Sequence, residues 1–177
     1  MASPSATTDT EANREALAGL IAAVAGDLGF DANKVAKRLS GGASIGEALD
    51  LPAGTVPLIY ARAHAAFQAG RVARAEQLFR VLTMLDGGNP DHWLGYAICL
   101  RQTGQQALAR DLFNIAATLD PQSAVPHFHL AELALSEDDV PAAKAAAEAC
   151  TARGDKGLPT PIKGEMDRYR AAIAARS

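Results

Sequence analysis

Cysteine, aromatic residues, basic charge and long apolar runs are all scarce in this sequence, and each scarcity excludes something. The two cysteines, Cys99 and Cys150, lack the C-x-x-C spacing of a redox or metal-binding pair, and each reads as a small buried apolar residue. Aromatics are 5% of 177 residues, yet 49% are hydrophobic and 21% charged, so a core exists and is built largely from alanine and leucine. Alanine has the best helix propensity and lets helices approach closely, which makes an all-α fold the expectation. No apolar run approaches the roughly 18–20 residues needed to span a bilayer. The longest near the N-terminus, residues 16–26, follows Glu11 and Glu15 rather than a basic region, so neither stable membrane insertion nor an export signal is read, and a cytoplasmic location is expected. The net charge of -3 divides into -3 over residues 1–55, -2 over 56–157 and +2 over 158–177. No segment carries the concentrated basic face that phosphate binding requires, and nucleic acid is not an expected partner.

Catalytic signals are missing as well. Gly41-Gly42 lacks the lysine and spacing of a phosphate loop, there is no G-x-S-x-G, and no nucleophile, base and orienting group can be named together. The reading is no enzyme, no catalytic residue, no cofactor and no metal. H-F-H at 127–129 invites a metal site, but helical residues two apart point roughly 200° apart and cannot converge on one ion; the pair reads as solvated or groove-lining. E-D-D at 137–139 reads as a solvated loop.

What the sequence does have is a period. Laying residues 56–89 over 90–123 and 124–157 aligns Ala63, Ala97 and Ala131, and again Ala75, Ala109 and Ala143; Gly70 falls on Gly104, Phe79 on Phe113, and Leu85-Asp86 on Leu119-Asp120. Each unit reads as two antiparallel helices. Small residues let the pair approach, Phe113 fills the space toward the next helix, Gly104 permits the reversal, and Asp120-Pro121 ends the second helix. Trp93 and Tyr96 open the middle unit as large anchors. The third unit is degraded, with Asp138 in place of the glycine and Ala147 in place of the phenylalanine. A period of 34 with this residue set resembles the tetratricopeptide repeat.

The expected architecture is therefore a helical solenoid of three tetratricopeptide-like repeats (56–89, 90–123, 124–157), with an N-terminal helical region over 11–55 and a C-terminal capping helix within 158–177. Residues 1–10 read as a disordered tail. Within the N-terminal region, a helix over 11–28 carries Leu17, Leu20, Ile21, Val24 and Leu28 on one face, and Thr8 and Glu11 are spaced as its capping box. That face needs a partner, either the repeat array or a second copy. Ser40-Gly41-Gly42 is a break, Ser44 and Glu47 start a short helix, and residues 51–55 lead into the first repeat. A solenoid end has no neighbour to cover it, and Ile162, Met166, Tyr169 and Ile173 form the stripe of a cap.

A stacked array of this kind offers a concave surface made by the first helix of each repeat. The register puts Tyr60, His64 and Phe67, then Leu94, Ile98 and Arg101, then Phe128, Glu132 and Leu135 on it. Phe67 and Phe128 read either as interhelix core or as part of an open groove; Tyr60, Arg101 and Glu132 in the same stripe favour the groove.

The run G-A-S-I-G-E-A-L-D-L-P at 42–52, then L-I-Y-A-R-A-H-A-A-F-Q-A-G-R at 58–71, then A-E-Q-L-F-R-V-L-T-M-L-D at 75–86 resembles the class II type III secretion chaperones, the translocator chaperones of the SycD/LcrH kind. The similarity covers about residues 15–175. Tyr60, His64 and Phe67 look like that family's aromatic groove signature, with His64 where an aromatic is more usual. The resemblance implies a bacterial cytoplasmic chaperone that holds hydrophobic secreted translocator proteins without ATP, capturing an extended P-x-L-x-x-P-type segment in the groove. It also implies a homodimer through N-terminal helices, which would give the face of Leu17, Leu20, Ile21, Val24 and Leu28 its partner. A tetratricopeptide scaffold assembling folded proteins in another pathway is the alternative.

Overall fold

The computed structural model describes residues 5–154 and 158–176, and every regular element among them is a helix. Helices α1 (Ser5–Asp27), α2 (Ala32–Ser40) and α3 (Ile45–Ala48) form the N-terminal region. Three pairs follow: α4 (Thr55–Gln68) with α5 (Val72–Leu85), α6 (Pro90–Gln102) with α7 (Gln106–Leu119), and α8 (Val125–Ser136) with α9 (Val140–Ala152). Helix α10 (Thr160–Arg176) closes the array. Each pair falls on one 34-residue unit, α4 starting one residue ahead of its own, and the pairs stack through α5 on α6 and α7 on α8, the neighbour-on-neighbour arrangement of a solenoid.

The aligned alanines are where the helices of each pair meet: Ala63, Ala75, Ala97, Ala109, Ala131 and Ala143 are all 0% exposed. Phe79 and Phe113 are buried as the joints of the stack. Phe79 lies against bare backbone of the next repeat, since a Cβ on Gly95 would come within 2.3 Å of its ring. Both cysteines are buried, and burial, with Glu76 adding to it, pushes the Cys99 thiol up to about 11.

Gly70 and Gly104 turn the first two repeats in the left-handed conformation. In the third repeat Asp138 adopts the same conformation with φ 60, which aspartate tolerates better than most side chains. Asp139 then caps α9 by accepting from the Ala142 N–H at 3.0 Å. The E-D-D run is thus a working turn: Glu137 pairs with Arg110, and Asp138 with Arg176 at 3.3 Å.

The N-terminal region departs from expectation in three ways. Helix α1 begins at Ser5, so the segment expected as a tail is helical from there, and Thr8 stands inside the helix instead of at its N-cap; residues 1–4 lie outside the described residues, as do the side chains of Thr8 and Glu11. Helix α2 was not anticipated, although Asp31, whose carboxylate accepts from the Lys34 N–H at 3.1 Å, is an ordinary N-cap ahead of Val35 and Leu39. Third, α1 packs on α2 through its alanines. Ala22 and Ala25 share a core with Val35 and Ala48, while Leu17, Leu20, Val24 and Leu28 are 58–72% exposed. The repeat array meets that face only at its edge, where Leu17 and the half-buried Ile21 border a cleft with Thr83 and Met84 of α5. The Ser44–Glu47 capping box is formed in full and starts α3.

At the other end α10 does what a cap requires. Met166 and Ile173 are buried, and Ile162 and Tyr169 pack partly buried on the same core as Phe128, Ala131 and Ala147.

Candidate peptide-binding groove

Side-chain contacts trace one line across the first helices of the repeats. Tyr60 of α4 lies 5.6 Å from His92 of α6, centroid to centroid. Arg101 of α6 pairs with Glu132 of α8, and Phe128 of α8 stacks on Tyr169 of α10 at 5.5 Å and 21°. Tyr60, Arg101, Glu132 and Phe128 thus take part in contacts between successive first helices, but the nine residues placed on this surface by register are not equally accessible.

In the first two repeats the path is open. Tyr60 and Phe67 are half-buried against the core of Ala63, Phe79 and Leu82, and Leu94 and Ile98 are half-buried against that of Ala97 and Phe113. His64 is exposed beside Tyr60, ring centroids 4.6 Å apart. Each side chain has one side on the core and another toward solvent. Burial, and after it the charge of Asp91, pushes the Tyr60 hydroxyl above its ordinary range.

In the third repeat the path is closed. Phe128 is 2% exposed beneath Tyr169 and belongs to the core, which corrects its placement in an open groove; α10 occupies the position where a further first helix would stand and covers it. Leu135 is half-buried on the same core. Glu132 and Arg101 are 24% and 23% exposed and bind each other.

Around that ion pair lies a polar knot that sequence reasoning missed. His129 is buried, stacked on Phe113 at 5.1 Å and edge-on to Phe128 at 5.0 Å, with Nδ1 3.2 Å from a Glu132 carboxylate oxygen. It is neither solvated nor groove-lining. Burial holds its pKa below the ordinary value against the opposing pull of Glu132, and since a carboxylate only accepts, Nδ1 faces it as the donor. Burial alone would raise the Glu132 carboxyl, but the His129 hydrogen bond and the Arg101 guanidinium outweigh it and hold it low. Burial, then Glu132 and Glu165, push the Tyr169 hydroxyl up to about 12. His127 is half-buried with Nε2 unbonded, and burial, then Arg153, lower its pKa. Among the described residues no three histidine, cysteine or acidic side chains are grouped to hold a metal ion. Nor is any described helix long and apolar enough to cross a membrane.

His92 was also missed. It is buried, with Nδ1 3.1 Å from the Asp86 carbonyl, and it forms the wall behind Tyr60. Trp93, the expected anchor, is half-buried and donates its indole N–H to the Gly87 carbonyl at 2.7 Å, tying α6 to the turn before it.

No family model matches the chain. It is 28% identical over 102 residues to the low calcium response locus protein H of Yersinia pestis, a match covering 58% of this chain and 61% of that protein; the chain thus spans about three fifths of the curated relative. Among solved structures it is similar to the type III secretion chaperone SycD of Yersinia enterocolitica in complex with a peptide of the translocator YopD, with TM-score 0.64 and 22% identity over 71% of this chain and 95% of that one. It is also similar to PcrH in complex with the chaperone binding region of PopD, with TM-score 0.62 and 25% identity over 71% and 93%. In sequence the chain is thus similar to the low calcium response locus protein H, and in fold to the type III secretion chaperone SycD and to PcrH.

Proposed function

We propose that this chain is a bacterial cytoplasmic chaperone that holds hydrophobic translocator subunits of a type III secretion system before export, binding an extended apolar segment in its groove. The observation that carries the reading is the accessible stripe of Tyr60, His64, Phe67, Leu94 and Ile98 on the first helices of two repeats, in a fold whose solved relatives are complexed with translocator segments. The physics suits the task. Alternate side chains of an extended peptide enter successive gaps along the stripe, and prolines in a P-x-L-x-x-P-type segment lower the entropy lost on ordering. Holding of this kind uses binding energy alone and requires no ATP. The apolar face of α1 is the proposed homodimer interface.

The test separates groove from core. Tyr60→Ala should weaken binding of a synthetic P-x-L-x-x-P peptide about tenfold or more, as a loss of roughly 1.4 kcal/mol does, with little change in thermal unfolding. Phe113→Ala should destabilise by about 3–5 kcal/mol, as buried phenylalanines do. A Tyr60→Ala chain that unfolds as badly as Phe113→Ala would remove Tyr60 from the groove. If a neighbouring gene encodes a protein with long hydrophobic segments and that protein is equally soluble with and without this chain on co-expression, the scaffold reading is favoured instead.

A further inference from the structure

A cleft of about 560 Å³ opens beside Tyr60, between the connection from α3 to α4 and the first turn of α6. Its apolar wall includes Leu51, Pro52, Val56 and Tyr60, and the carboxylates of Glu47, Asp86 and Asp91 stand around it. No lysine or arginine lines it. Of the cations of neighbouring α2, Lys34 and Arg38 pair with Asp50, and Arg38 also donates to the Glu47 carbonyl at 2.7 Å. Resting on the chaperone reading, we propose that this cleft is a selectivity subsite: it takes a lysine or arginine of the bound extended segment, one or two residues from an apolar side chain held in the groove.

Local roles account for part of the acidity. Glu47 closes the capping box of α3, and Asp91 lies in the first turn of α6, where negative charge suits the helix terminus. Those roles do not account for three carboxylates around an open apolar cleft that shares Tyr60 and His92 with the groove. Glu47 accepts from the Ser44 N–H and hydroxyl, with Arg38 adding its charge beside that carboxylate, and the Asp86 carboxylate lies 3.8 Å from His92 Nδ1. The field of Asp91 reaches the aromatic floor, since it adds to burial in raising the Tyr60 hydroxyl.

A basic side chain matches both halves of this surface. Its aliphatic stem lies along Pro52 and Val56, its head reaches the carboxylates, and the Tyr60 ring offers a face to a cation. The exposed face of α1 from a second copy does not match, because residues 15–31 contain no lysine or arginine.

Three synthetic peptides sharing one P-x-L-x-x-P core and flanked by paired lysine, alanine or glutamate provide the probe, with Kd measured by fluorescence anisotropy. At about 50 mM salt the lysine-flanked peptide should bind about fivefold more tightly than the glutamate-flanked one, and the difference should shrink at about 500 mM. Asp91→Asn with Glu47→Gln, which preserves capping ability, should collapse the difference while leaving the alanine-flanked peptide within about twofold. The salt series on the unaltered chain serves if that variant folds poorly. Equal affinity for the lysine and glutamate peptides overturns the subsite alone, whereas absence of binding by all three overturns the groove reading and the subsite with it. A variant that changes the mass of the free chain and not the peptide preference shows a second copy in the cleft, and also overturns the proposal.

Discussion

Helices α1 and α10 stand at opposite ends of the molecule, both carry an apolar stripe, and they turn it in opposite directions. Helix α10 lays Ile162, Met166, Tyr169 and Ile173 onto the last repeat, covering a surface that a further repeat would otherwise cover. Helix α1 packs through Ala22 and Ala25 and leaves Leu17, Leu20, Val24 and Leu28 outside. Residue size decides the difference. Alanines allow α1 to sit close on the short α2, and a stripe of leucines would hold the two apart. The consequence for the groove is that one end is sealed by the chain itself, with Phe128 under Tyr169, and the other stays open at Tyr60.

The largest effect that tests this contrast is expected at Met166. It is 0% exposed in the seam between α10 and the third repeat, and Met166→Ala should cost about 2–5 kcal/mol in urea or thermal unfolding. A loss below about 0.5 kcal/mol, the range of surface substitutions, would mean that α10 is not part of the folded array.

Acid sharpens the same contrast at intermediate size, because the buried histidine lies at the sealed end. His129 has a folded pKa below its ordinary 6.5, so the unfolded chain takes up a proton that the folded chain refuses. Its contribution is therefore fully present above about pH 6.5 and is lost as pH falls from there toward its folded value, at no more than about 1.4 kcal/mol per pH unit. His127 acts in the same direction. Glu132, whose folded pKa lies below 4.5, adds a later loss as pH falls through its lowered range. Urea melts at neutral and mildly acid pH should show stability declining with acid, and His129→Gln should flatten the decline. An unchanged slope in that variant would assign the acid sensitivity to other groups.

The repeat was legible because each position is written more than once: Ala63, Ala97 and Ala131 check one another, as do Phe79 and Phe113, and all five are buried. Tyr60, His64, Leu94 and Ile98 could be placed on the outer side of their helices from the same register. Burial that depends on an element outside the period was not legible. Phe128 occupies the register position of Tyr60, and only the docking of α10 makes one core and the other surface. The knot of Arg101, His129, Glu132 and Tyr169 draws on three helices distant in sequence, and spacing along one helix carries no trace of it. The burial of α1 through its alanines ran against the usual inference from large apolar residues, which assumes that the widest stripe faces inward.

The smallest expected change in folding stability belongs to α1, and it carries the most information about assembly. Leu20 is 68% exposed and Val24 60%, so Leu20→Glu with Val24→Glu removes little that the single chain buries, and its unfolding free energy should move by no more than about 0.5 kcal/mol per site. If the face is covered by a second copy, the same substitutions place like charges opposite one another across a two-fold interface, where each residue is present twice. Light scattering should then show the mass fall from dimer to monomer. A dimer that survives puts the interface elsewhere and leaves these leucines uncovered. A large loss of stability in a chain that is already monomeric would mean that α1 folds back on its own array in solution, and the opposition between the two end helices would disappear.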